Sequence, residues 1–181
     1  MQVTTTPTVE DLQCLLSRLQ EEKYQQLDDL SGRIVTSLAE VQAQMTHSAL
    51  DQYLAESADL ASQVTHYLRY RRLVLVPYIN DLLNKEDEGH DCRSCSGNCA
   101  MGHAEQVAGI KEIHQGIRQK MENLQEAGLQ LMTISAISEA YQTLRADMIS
   151  IDGALSELLF IEESALVPMM LDLQRTIGAH G

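Results

Sequence analysis

Tryptophan is absent from this chain, phenylalanine occurs once, and aromatics make up only 4% of its 181 residues. A surface for single-stranded nucleic acid needs stacking rings, so the scarcity argues against that class. Positive charge is short too: 13 Lys and Arg stand against 26 Asp and Glu, a formal charge of −13. Such a chain is not built to hold a phosphate backbone, and no nucleic acid is expected as a partner. No run of eighteen apolar residues occurs, so no membrane span is expected. Residues 1–7 carry neither the basic start nor the apolar core of an export signal, and are expected to be a flexible lead on a cytoplasmic protein. Prolines number three (Pro7, Pro77, Pro168) and glycines ten.

What the chain has in quantity is helical patterning. Apolar residues recur at spacings of three and four, the mark of helices with one buried stripe. Thr8 is the expected N-cap of the first helix, with Asp11 as its acidic partner. The first stripe runs Leu12, Leu16, Leu19, then Leu27, Leu30, Ile34, Leu38, Val41, across a polar gap at residues 20–26. A second runs from Leu50 to Leu82, a third from Val107 to Leu124 and a fourth from Leu144 to Leu173. Four long helices with short connections predict a single all-α domain over 1–181, an antiparallel up-down four-helix bundle. Cys14, beside Leu15 and Leu16, is expected to be a buried small hydrophobe.

Three polar residues stand where the stripes call for apolar ones: Arg71, His114 and Glu162. Each lies near mid-helix, away from the ends where a long side chain can snorkel. On three different helices they suggest one buried polar layer, because a buried charge requires a partner. Arg71 and Glu162 would neutralise each other, and His114 would hydrogen-bond the carboxylate. An internal repeat supports that pairing. Residues 68–82 align with 159–173, sharing Leu-Val-Pro and then Asp-Leu, and setting Arg71-Arg72 opposite Glu162-Glu163.

The same two segments resemble the hemerythrin-like domains, and in particular the Repair of Iron Centers family. That family carries His-x-x-x-Glu followed by a hydrophobic-hydrophobic-Pro turn on two helices. Residues 158–168 look like the last of these, with Glu162 matching a bridging carboxylate, and residues 67–77 look like the first. His114 falls near the family's third-helix ligand. The departures are substantial. Tyr67 and Leu158 stand in place of iron-binding histidines, Arg71 in place of a bridging glutamate, and no histidine precedes His47. The resemblance therefore implies a hemerythrin-like bundle whose di-iron site is degenerate, with Arg71, His114, Glu162 and Tyr67 as its relic. A single metal on His114, Glu162 and Glu22 is the alternative that keeps the interior in use.

The densest chemistry lies between the second and third stripes. His90, Cys92, Cys95, Cys99 and His103 fall within fourteen residues, inside a break in the pattern from about 87 to 102. Cys92-x-x-Cys95 has the spacing at which two thiolates grip one ion, Cys99 adds a third sulfur, and His90 or His103 a nitrogen. That set suits a closed tetrahedral zinc site. Iron, or an iron–sulfur cluster with three thiolates and an imidazole, uses the same donors. A reversible Cys92–Cys95 disulfide with Cys99 as resolving thiol needs no metal at all. Relative to the family the segment is an added loop at one end of the bundle. No nucleophile–base pair or phosphate-cradling glycine loop is visible, so binding or redox and stress sensing is expected ahead of turnover. An iron-using bundle interior and a metal-free interaction bundle are the competing readings. The sequence names no protein partner and no oligomeric state.

Overall fold

The computed structural model describes residues 8–45, 48–87, 98–131 and 138–179, with the side chains of Ala49, Asp87 and residues 98–108 and 178–179 left aside. Among the described residues the chain is helical throughout and contains no strand. Four rods follow one another: α1 over 9–44, α2 over 48–87, α3 over Asn98–Gln130 and α4 over 139–179. None is long and apolar enough to cross a membrane, among the described residues.

Local chemistry sets the starts. Thr8 caps α1 through a reciprocal box: its hydroxyl accepts the Asp11 N–H at 3.2 Å, and its own N–H donates to Asp11 Oδ2 at 2.8 Å. Ser138 caps α4 by accepting the Tyr141 N–H at 3.2 Å. The third rod starts at Asn98, earlier than the expected break at 87–102 allows, and so takes in Cys99 and His103. Ala100 and Met101 are good helix formers, and one interior glycine, Gly102, costs only about 1 kcal/mol. Residues 1–7, His47, His90, Cys92 and Cys95 lie outside the described residues.

The stripes become one continuous core. Leu16, Leu27, Ile34, Leu60, Leu68, Ile79, Ile117, Leu144, Ile151 and Leu158 are all buried within it. The rod α1 packs along both α2 and α4, and α2 packs along α3. The last segment of α4, Val167–Ala179, reaches α1, α2 and α3. Cys14 corrects the expectation made for it, because its side chain is exposed. It stands two residues from both Leu12 and Leu16, about 200° around the helix from the buried stripe.

Three rods depart from α geometry at one level each. π-helical turns occupy Leu19–Tyr24, Arg71–Leu75 and Glu162–Leu166. In the latter two the N–H of Val76 reaches back to the Arg71 carbonyl and that of Val167 to the Glu162 carbonyl. Pro77 and Pro168 come next in the chain. A proline inside an α-helix lacks an N–H and pushes its ring against the carbonyl four residues back. The wider turn accommodates both defects without breaking the rod. No proline stands behind the first π-turn. Its effect is on register: Leu19 and Tyr24, five residues apart, are both buried, and the stripe resumes at Leu27. A π-turn of this kind acts as a one-residue insertion in an otherwise regular helix.

Removing the extra residue should therefore leave the rod intact. Deletion of the exposed Glu22 gives spacings of four and three from Leu12 through Leu27. The shortened chain is expected to unfold cooperatively at a cost of about 1–3 kcal/mol for the displaced Tyr24 hydroxyl. Deleting the exposed Thr36, in regular α-helix, rotates the flanking stripes by about 100°, and should abolish the cooperative transition. Circular dichroism during urea titration separates the two.

Candidate functional site

The π-turns converge on one buried polar cluster. Arg71 opens the π-turn of α2, Glu162 opens that of α4, and Tyr24 closes that of α1. Tyr67, one turn before Arg71, and His114 from α3 complete it. Arg71, His114 and Glu162 are each 0% exposed, and Tyr24 and Tyr67 are buried with them.

Glu162 is the hub. Its Oε1 accepts three hydrogen bonds: from Tyr67 at 2.8 Å, from Arg71 Nε at 3.0 Å and from Tyr24 at 3.1 Å. Its Oε2 lies 2.5 Å from Arg71 Nη2 and 2.8 Å from His114 Nε2. The guanidinium thus meets the carboxylate in a two-point fork, the geometry in which Arg–carboxylate pairs are strongest. It also lies 4.5 Å over the Tyr67 ring and 5.6 Å over the Tyr70 ring, where the aromatic faces favour a cation. Arg71 Nη1 has no hydrogen-bond partner among the described residues.

His114 links the hub to the surface. While Nε2 meets Glu162, Nδ1 lies 2.8 Å from Glu163 Oε1. Glu163 is partly exposed and accepts from Arg118 Nη2 at 2.8 Å. Nδ1 can donate to Glu163, while Nε2, which also lies 2.9 Å from Arg71 Nη2, accepts from that guanidinium or donates to Glu162 according to the tautomer. The result is a continuous polar chain from the buried phenols through Glu162, His114 and Glu163 to solvent.

Burial pushes the Glu162 carboxyl upward, but the hydrogen bonds from His114 and Arg71 and the Arg71 charge outweigh it and hold it below its ordinary value. Glu163 is likewise lowered, burial being outweighed by His114 and Arg118. Burial and the Glu162 charge drive both phenols, Tyr24 and Tyr67, well above the usual tyrosine range. For Arg71 burial works against the charge, yet Glu162 and the tyrosines leave it raised. The cluster is therefore one anion and one cation, ringed by neutral hydroxyl donors.

The structure thus brings together Arg71, His114, Glu162 and Tyr67. The alternative trio of His114, Glu162 and Glu22 is not assembled, because Glu22 is exposed and Tyr24 faces Glu162 from that rod. Tyr24 and Glu163 are the members that sequence reasoning missed. The five-residue step from Leu19 to Tyr24, with the one aromatic of a polar run at its end, was the available signal. Of the Cys/His set, His90, Cys92 and Cys95 lie outside the described residues, and Cys99 and His103 are placed by backbone alone. Among the described residues no group of three or more His, Cys, Asp or Glu side chains is gathered for a metal ion.

Breaking the pair from one side strands a buried charge. Arg71→Met is expected to cost about 3–5 kcal/mol at neutral pH. Adding Glu162→Leu should recover about 2–3 kcal/mol through coupling, as urea titrations in a double-mutant cycle would measure. The acid limb has a definite sign. With its folded value depressed, Glu162 contributes full stability above its unfolded value, and that contribution fades as pH falls through the folded one. The Arg71→Met penalty should therefore shrink in acid, where the stranded carboxyl can take up a proton. No family model matches this chain, and neither a curated protein nor a solved structure shows significant similarity to it.

Proposed function

We propose that the protein is a hemerythrin-like, antiparallel up-down four-helix bundle whose interior is held by an ion pair in place of metals. Its function then lies in the Cys/His segment, where His90, Cys92, Cys95, Cys99 and His103 bind zinc or iron, or cycle between dithiol and disulfide, as a metal, redox or stress sensor. Packing of each rod against the next in sequence through α1, α2 and α3, with α4 returning to α1, supports the up-down arrangement.

The observation that carries the reading is the saturation of Glu162. Both oxygens are taken by hydrogen-bond donors, including the Arg71 fork. Two irons need several carboxylates and imidazoles with free lone pairs. At this cluster the described residues offer one of each, with the Arg71 guanidinium fixed against both, so a di-iron centre does not fit. Arg71 supplies the positive charge that a buried carboxylate requires. With the interior closed in this way, the thiols and imidazoles of 90–103 are the remaining concentration of soft donors in the sequence.

Anaerobic purification followed by elemental analysis and a visible spectrum tests this. Bound zinc or iron is expected to disappear in the Cys92→Ser/Cys95→Ser/Cys99→Ser protein and to persist in His114→Ala and Glu162→Gln. For a thiol switch, mild peroxide should form a Cys92–Cys95 disulfide that mass mapping detects. Iron that survives the triple serine protein and leaves with His114→Ala would return the function to the bundle interior.

A further inference from the structure

A second feature lies at the other end of the rods, away from the ion pair. The rod α3 packs sparsely on the Glu139–Ile161 part of α4, and between them runs an open groove of about 400 Å³. That size falls within the usual span of small-molecule sites, about 300–1,000 Å³. Its inner lining is the buried Tyr53, Leu124, Tyr141 and Met148, and Leu129 and Ile149 line it from the two rods while each 66% exposed. Two large apolar side chains left open on facing rods beside one concave surface form an apolar patch of the kind that ligands cover.

Two further observations say what the groove would take. Arg145 lines it, is exposed, and makes no ion pair among the described residues, in a chain whose formal charge is −13. Its charge acts on both phenols of the inner lining, against the burial that raises Tyr141 and pushes Tyr53 up to about 12. Seven residues on, about 10 Å along the same helix, Asp152 is engaged by Gln125 Nε2 at 3.4 Å across the two rods. With a cation at one end, a carboxylate at the other and apolar walls between them, a single negative end is drawn to Arg145 and kept away from Asp152, which complements an amphiphile with one anionic head.

Gly128 keeps that space open. A Cβ there would come no closer than 3.6 Å to the Tyr53 ring, an ordinary contact, so packing does not demand glycine. An interior helical glycine nevertheless costs about 1 kcal/mol relative to alanine. What its absence of a side chain preserves is room beside Tyr53.

We propose that this groove binds a free medium-chain carboxylate, its head on Arg145 and the hydroxyls of Tyr53 and Tyr141, and its tail between Leu129 and Ile149. Titration of the full chain with octanoate, followed by calorimetry and by the tyrosine NMR signals, is the test. One saturable site is expected. Arg145→Gln should weaken it at least tenfold, and Ile149→Glu, an exposed change that repels the head, should do the same. Uncharged 1-octanol should bind wild type no better than octanoate binds Arg145→Gln. Gly128→Leu should remove binding while the thermal midpoint holds or rises. Absent or unsaturable binding overturns the proposal, as does binding that survives both Gly128→Leu and Ile149→Glu. Equal affinity for octanoate and 1-octanol overturns the carboxylate class. A dimer dissolved by Leu129→Glu, with no octanoate bound, assigns the groove to a second copy of the chain instead.

Discussion

One carboxylate, Glu162, has no access to water and is ionised all the same. A bare anion at that depth would be prohibitive, so the surrounding structure is organised around neutralising it. Arg71 answers it from α2, His114 from α3 and Tyr24 from α1, so that each of the other three rods contributes a partner. The apolar stripes on their own would allow the rods to slide past one another. A point at which four side chains must coincide within hydrogen-bond distance fixes their heights. Replacing the whole cluster with well-packed hydrophobic residues could leave stability unchanged, and in that case specificity of packing is what the polar cluster adds.

The π-turns are the backbone's share of the same constraint. At Arg71 and Glu162 a polar residue sits five positions before a Val-Pro pair, and the two turns share one design. The widened turn admits the proline ring downstream, while upstream the backbone brings the charged side chain into the core. In α1 the same device works without proline and moves Tyr24 into the buried face. Single π-turns recur at sites where helices carry chemistry. Here the chemistry they serve is a closed ion pair.

The rods and the central pair were legible because both are matters of period. Stripes at three and four residues mark helices, and a charge inside a stripe marks itself; Arg71, His114 and Glu162 stood out for that reason. Tyr24 was hidden by the assumption of uniform α geometry, under which a residue five positions after Leu19 turns away from the core. Cys14 was misjudged from its neighbours in sequence, when its angle around the helix was what mattered. Glu163 was visible as part of the repeat, but its hold on His114 depends on how α3 and α4 lie together, which spacing does not encode. The start of α3 at Asn98 is obscured in the sequence by the Ser, Gly and Asn residues that precede the helix formers Ala100 and Met101.

The cluster also bears on the order in which the protein assembles. Its contacts to Glu162 join residues separated by 138, 91 and 48 positions in the chain. Each charge must give up its water before its partners compensate it, and the compensation is complete only when all four rods are in place. Hairpins between consecutive helices close shorter loops and bury mainly apolar surface, so they can form first. The Arg71–Glu162 pair joins non-consecutive rods and so closes after those hairpins. Interactions made that late hold the native state closed against unfolding while leaving the rate of folding nearly untouched. In a helical fold fastened in this way, one arginine bears more on the lifetime of the native state than on its speed of formation.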